Sequence, residues 1–170
     1  MKRSSYILVF ILLSIFIQNS QAQLEKYHKI FILNFIRHIE WPGLENQLTF
    51  RIAIVGENHP LTSELKEAVR DFKIAGRPIE VVEFKTLDEF TACHILFVPR
   101  NRIAALRKAS KMLAGVSVLI VTEMDGFSPK ESVINIMVEE DGKMVFTINQ
   151  KEADARGLHI TKQFLNMSKK

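Results

Sequence analysis

Cysteine, glycine and proline are all scarce in this sequence. Its 170 residues include one Cys, seven Gly and five Pro, with 47% apolar and 25% charged residues. So little Gly and Pro excludes a collagen-like chain, and the apolar fraction is too high for a disordered one. A single cysteine excludes an internal disulfide. Length and composition therefore predict about one ordinary globular domain.

The apolar run at residues 7–17 is too short to be a membrane helix, which needs roughly 20 residues. Lys2 and Arg3 precede it, and Ser20, Gln21 and Ala22 follow it. This is the pattern of a secretory signal peptide that is cleaved after Ala22. We therefore expect residues 1–22 to be a signal peptide and residues 23–170 to be a single exported domain without membrane insertion.

The sequence also has little excess of either positive or negative charge. The formal net charge is +4 at pH 7, and two of the positive charges lie in the expected signal peptide. A mature chain with so small an excess of cations is not predicted to bind nucleic acid.

Strand and helix patterns alternate along the mature chain. Four segments have strand composition: residues 49–55, 79–84, 94–98 and 117–121. Helical spacing of apolar residues occurs at 24–40, at 61–72 and after residue 103. This alternation predicts an α/β domain of three layers, with a mostly parallel central sheet and helices on both faces. Residues 134–138 and 143–148 flank an Asp-Gly pair, which predicts an antiparallel hairpin at the C-terminal end.

The first helical segment carries more apolar residues than one face of a surface helix normally shows. Two interpretations follow: the helix is buried between the sheet and later elements, or it forms a subunit or partner interface. The candidate interface residues are Phe31, Ile32, Phe35, Ile36, Ile39 and Trp41.

The motifs of common enzymes are missing. No Ser stands in a G-x-S-x-G turn, the loop at residues 56–60 has one Gly and an acidic residue, and no H-x-x-x-H pair occurs. We therefore predict no catalytic, cofactor or metal site. Cys93 lies in an apolar run, which favours a buried, inert thiol over a reactive or intermolecular one.

Open α/β sheets bind ligands outside the carboxyl ends of their strands. The loops expected there contain eight polar residues that could contact a small ligand, although such loops are polar in any soluble protein. These candidates are Glu57, Asn58, His59, Arg100, Asn101, Arg102, Glu123 and Asp125.

Several motifs resemble, in the same order, those of the YfiR-like family of exported bacterial proteins. The most specific are the helix end at residues 34–42 and the strand at 93–98; others lie at residues 76–79, 134–135, 146–149 and 157–160. The resemblance spans nearly the whole mature chain. It implies a periplasmic, non-catalytic, homodimeric regulator in a Gram-negative bacterium.

The resemblance also implies a partner. The best understood YfiR-like proteins repress an inner-membrane diguanylate cyclase by contact and so restrain cyclic-di-GMP signalling and biofilm formation. The alternative is a periplasmic small-ligand-binding module that serves a sensor kinase, a transporter or an outer-membrane receptor. Redox control through paired cysteines is not carried over, because Cys93 has no partner in this chain.

The signal peptide can be tested directly. Protein purified from the periplasm of the native host should begin at Gln23 when its mass is measured, because signal peptidase recognises the small residues before that bond. Recovery of the uncleaved chain from the cytosol would contradict this prediction.

Overall fold

The structure is a computed structural model that describes residues 26–169, so the expected signal peptide lies outside the described residues. The helices are α1 (residues 26–38), α2 (Pro60–Ala68), α3 (Ile103–Met112), α4 (Gln150–Ala155) and α5 (Lys162–Met167). The strands are β1 (Ile39–Glu40), β2 (Phe50–Val55), β3 (Lys73–Ile74), β4 (Arg77–Phe84), β5 (Ile95–Val98), β6 (Leu119–Glu123), β7 (Ile134–Val138), β8 (Met144–Ile148) and β9 (His159–Ile160).

Seven strands form the main sheet, in the order β3-β4-β2-β5-β6-β7-β8. The five inner strands are parallel, whereas β3 and β8 run antiparallel at the two edges. The β7–β8 pair is the predicted hairpin, with Ile136 opposite Phe146. The mostly parallel α/β sheet predicted from the sequence is therefore confirmed.

The sheet separates two apolar cores. Ile52 and Ile54 of β2 face the first core together with α1 and α2, and their neighbours Ala53 and Val55 face the second core together with α3. Successive side chains of a strand point to opposite faces, so a strand covered on both sides must be apolar at nearly every position. This explains why the central strands read as unbroken apolar runs.

Helix α1 ends two residues earlier than its apolar spacing predicts. Ile39 and Glu40 leave the helix and pair antiparallel with Ile160 and His159 of β9. The Thr161 amide adds a hydrogen bond of 3.1 Å to the carbonyl of residue 38. Local periodicity could not reveal this change, because the pairing partner lies about 120 residues away in the sequence.

Helix α2 also ends early, at Ala68 rather than at residue 72. The chain turns and forms the short strand β3, which pairs with the start of β4 and was not predicted. Residues 75 and 76 both adopt positive φ angles, of 48° and 81°, which a tight reversal between two strands requires.

A buried arginine joins α4 to the end of α3. The Asn149 side chain accepts the amide of Glu152 at 3.2 Å and so begins α4. The Glu152 carboxylate binds the Arg156 guanidinium at 2.7 Å. Arg156 is 1% exposed and also donates to the Leu113 carbonyl at 2.7 Å. Glu152 and Leu113 therefore satisfy a charge that would otherwise be costly to bury.

Replacing Arg156 by Ala should lower the free energy of unfolding by about 3 kcal/mol, because the change leaves Glu152 without its cation, leaves the Leu113 carbonyl with the Val116 amide as its donor, and opens a cavity. Urea denaturation followed by circular dichroism measures this loss. Lys151→Ala on the exposed side of α4 is the control and should change stability by less than about 0.5 kcal/mol. Equal losses in the two variants would contradict a special role for the buried guanidinium.

Candidate functional site

The parallel strands bring the predicted ligand loops to one edge of the sheet. Glu57, Asn58 and His59 follow β2, Arg100 to Arg102 follow β5, and Glu123 and Asp125 lie at the end of β6. The β2, β5 and β6 strands are neighbours in the sheet. These residues therefore lie together at the carboxyl ends of the strands, where open α/β sheets bind ligands.

A carboxylate from β4 organises the first of these loops. Glu83 accepts hydrogen bonds from the Asn58 amide at 3.1 Å, the His59 amide at 2.8 Å and the Thr62 hydroxyl at 2.5 Å. Burial alone would raise the pKa of Glu83, but these three donors outweigh burial and lower the pKa below its ordinary value. The strand pattern around Glu83 is that of an exposed strand residue, so its role was not predicted from the sequence.

A second carboxylate, Glu123, organises the other loops. One of its oxygens lies 3.0 Å from Nε2 of His28, a residue of α1 that is 1% exposed. The other oxygen accepts the Arg100 amide at 3.3 Å. The Arg100 guanidinium extends to Asp125 at 2.8 Å, and Asp125 in turn accepts the Val138 amide at 3.0 Å.

Opposing effects act on the Glu123 carboxyl. Burial would raise its pKa, and the hydrogen bond and charge of His28, with smaller contributions from Arg100, outweigh burial and lower the pKa. The carboxylate is therefore held in its ionised form. Sequence analysis named Glu123 but missed His28, whose helical neighbours gave no sign that it faces the sheet.

The two groups of polar residues meet at an aromatic ring. The Phe97 ring of β5 lies 5.6 Å from the His28 ring and 5.8 Å from the His59 ring. We call the polar residues around Phe97 the strand-end network: His28, Asn58, His59, Thr62, Glu83, Arg100, Glu123 and Asp125. Its members bind one another, and the hydrogen-bonding groups of the buried members are used within the protein.

A groove of about 980 Å³ lies beside the strand-end network, between the loop after β6 and the β7–β8 hairpin. Of the eight predicted ligand residues, Asp125 alone is among those that line this groove. Phe127, on the wall of the groove, is 53% exposed. Several of the groove's polar side chains are already paired, as Glu139 with Lys169 and Ser128 with Thr147. Glu57, Asn101 and Arg102 are exposed outside the groove.

The six candidate interface residues at the first helix are mostly buried within the chain. Phe31 is half-buried, and the other five candidate interface residues are 7% exposed or less. They pack in the chain's own first core, and the Trp41 indole also donates to the His94 carbonyl at 2.9 Å. Their burial supports the first of the two interpretations, because Phe146 of β8 and Phe164 of α5 pack against α1 and cover its apolar side chains within the same chain. These core residues are Ile32, Phe35, Ile36, Ile39 and Trp41.

A different set of apolar side chains stays on the surface of α1. Tyr27 and Ile30 are 44% and 51% exposed, Leu33 is half-buried, and the Arg37 guanidinium lies 5.7 Å from the centre of the exposed Phe72 ring. We call these five residues the α1 stripe. It is a mostly apolar and largely exposed surface, in which Leu33 also packs partly against the first core.

The single thiol is buried, as the apolar run around it predicted. Cys93 is 7% exposed and precedes β5 rather than lying within it. Burial raises the pKa of the Cys93 thiol to about 12, so it is protonated at neutral pH. Among residues 26–169, no group of three or more His, Cys, Asp or Glu side chains is arranged to hold a metal ion.

These features define an α/β protein whose strand-end polar residues are used internally and whose first helix keeps an apolar stripe exposed. A family model matches residues 25–169, and the chain belongs to the YfiR/HmsC-like family. No curated protein matches the chain. Within the described part of the chain, no helix is long and apolar enough to cross a membrane.

Glu123→Gln should lower the free energy of unfolding at pH 7 by about 3 kcal/mol, because it removes the carboxylate that contacts the buried His28 ring. The folded-state pKa of Glu123 is lowered, so its contribution is present above the unfolded-state pKa and is lost as the pH falls through the folded-state value. The difference between wild type and variant should therefore shrink below about pH 4.

Urea denaturation at pH 7 and at pH 3.5 measures both effects. Glu57→Gln is the control, because Glu57 is an exposed carboxylate on the same sheet edge. It should change stability by less than about 0.5 kcal/mol at either pH. A difference for Glu123→Gln that does not depend on pH would show that the charge on Glu123 contributes nothing.

Proposed function

We propose that this protein is a periplasmic, non-catalytic regulator that represses an inner-membrane diguanylate cyclase by direct contact. The observation that carries the proposal is membership in the YfiR/HmsC-like family over residues 25–169. The expected signal peptide supports the location, since export would place the chain beside the periplasmic domains of inner-membrane proteins. A homodimer belongs to the same proposal.

The arrangement of polar residues supports contact over chemistry. The strand-end network brings acidic, basic and cationic groups together, and hydrogen bonds and ion pairs within the protein occupy its buried groups. Glu83 and Glu123 are held ionised by donors, whereas a general acid would need a raised pKa. The one thiol is protonated and buried. The exposed apolar side chains of the α1 stripe favour a protein partner.

The second candidate is the small-ligand-binding module, and the groove of about 980 Å³ is the observation that favours it. A ligand there would contact Asp125, Phe127, Thr147 and Lys169. A tight polar ligand would have to displace the ion pairs that already occupy the groove, such as Glu139 with Lys169. We therefore rank this function second.

Deleting the gene should raise cellular cyclic-di-GMP, and supplying the full chain in trans should restore the lower level. A chain without residues 1–22 is the matched control. It should fail to restore the level although it has the same domain, because it stays in the cytosol and cannot reach a periplasmic contact. Cyclic-di-GMP in cell extracts, measured by mass spectrometry, and biofilm mass are the readouts.

Single replacements test the absence of chemistry. His38→Ala, His59→Ala, Glu57→Ala and Cys93→Ala should each leave repression largely intact, once protein levels are matched by immunoblot. If deletion leaves cyclic-di-GMP unchanged, repression is excluded and the ligand-binding function takes its place. If repression is lost in a stable His59→Ala or Glu57→Ala variant, contact without chemistry is excluded.

A further inference from the structure

The exposed face of α1 has a defined order of side chains. At 100° per residue, Lys26, Ile30, Leu33 and Arg37 fall within one narrow sector of the helix, with Tyr27 at its margin. Buried residues such as His28 and Phe35 point to the other side. The four members of the α1 stripe that lie on the helix therefore face away from the residues buried in the fold, and Phe72 adjoins them through Arg37.

Positive charges stand at both ends of this face. Lys26 and Arg37 are exposed, and within residues 26–169 neither forms a direct ion pair, although the charge of Lys26 acts on Glu64 from a longer distance. Lys29, by contrast, is paired with Glu64 of α2 at 2.5 Å. Lys26 and Arg37 are 11 residues apart, which is three helical turns or about 16 Å along the axis.

A second copy of this chain would fit the α1 stripe poorly. Two antiparallel α1 helices in contact would place Lys26 of one copy beside Arg37 of the other. Two parallel helices would place each cation beside its own counterpart. Both arrangements bring like charges together at an apolar contact, where little water screens them.

We propose that the α1 stripe docks an amphipathic helix of a partner protein, whose apolar face carries acidic residues about three turns apart. The apolar side chains of the stripe would pack against the partner's apolar face, as a helix does in a groove. Lys26 and Arg37 would meet the two carboxylates and fix the orientation of the partner. This proposal rests on the proposed function and identifies the surface through which it acts.

Photocrosslinking in cells tests the surface. A benzoyl-phenylalanine at position 27 of the full chain should crosslink to a protein of the inner membrane, and sequencing should place the adduct on a periplasmic helix with acidic residues. The same group at position 112, on α3 across the sheet, is the control for a residue of similar exposure. It should give no such adduct.

Matched substitutions test the chemistry of the contact. Ile30→Glu should reduce the crosslink about tenfold and raise cyclic-di-GMP to the level of the deletion strain, because it buries a charge at the contact. Ile103→Glu makes the same change on α3, at a residue 40% exposed, and should do neither. Arg37→Glu should abolish the crosslink, whereas Arg37→Lys, which keeps the charge, should retain most of it.

Other occupants are distinguished by the same experiments. An adduct with a second copy of this chain would overturn the proposal in favour of a dimer face. Sedimentation of the mature protein with vesicles of phosphatidylethanolamine and phosphatidylglycerol, lost in Ile30→Glu, would overturn it in favour of the membrane surface. An adduct on a helix without acidic residues, or no adduct at position 27, would also overturn it.

The two proposals can fail separately. If gene deletion raises cyclic-di-GMP but Ile30→Glu and Arg37→Glu both repress normally, the proposed function stands and the α1 stripe is not the docking surface. If deletion leaves cyclic-di-GMP unchanged while the crosslink forms as expected, the surface stands and the partner is a different membrane protein.

Discussion

The packing of Phe35 against Phe146 and Phe164 fixes the position of α1, on which the rest of the first core depends. Phe35 is fully buried, its ring lies 5.9 Å and 5.7 Å from the other two, and those two stack at 4.8 Å. One contact thus joins the first helix to the last strand of the sheet and the last helix. The first helix therefore depends on the last part of the chain for the burial of Phe35.

A second anchor acts on α1 near its start, where His28 meets Glu123. Full burial of a Phe side chain stabilises a protein by about 2–3 kcal/mol. A buried pair of polar or charged groups can contribute almost nothing to stability once the cost of desolvation is included. Packing therefore supplies the stability of α1, and the polar pair restricts its rotation. A helix turned by one residue would take His28 away from Glu123 and leave that carboxylate with its Arg100 contacts only.

Local patterns predicted the strands, the parallel sheet and the hairpin, because each of these depends on spacing within a short segment. They missed what depends on distant residues: the exit of α1 into β1, the partners of Glu83 and Glu123, and the burial of Arg156. Local spacing also left open whether Phe35 is buried by its own chain or by a partner, because the residues that cover it lie far away in the sequence. The sequence shows that a helix needs cover on two sides, but it does not show whether that cover comes from the same chain.

Helix α1 consequently has two faces under different constraints. Changing Phe35 or His28 would alter the core and the sheet edge together, whereas Ile30 and Arg37 contact little that the fold requires. If the protein regulates by contact, as we propose, this separation would let its partner surface change while the fold stays intact. The two anchors also hold the exposed face rigid, so that docking a partner costs little conformational entropy. A surface on a loop would lack that advantage.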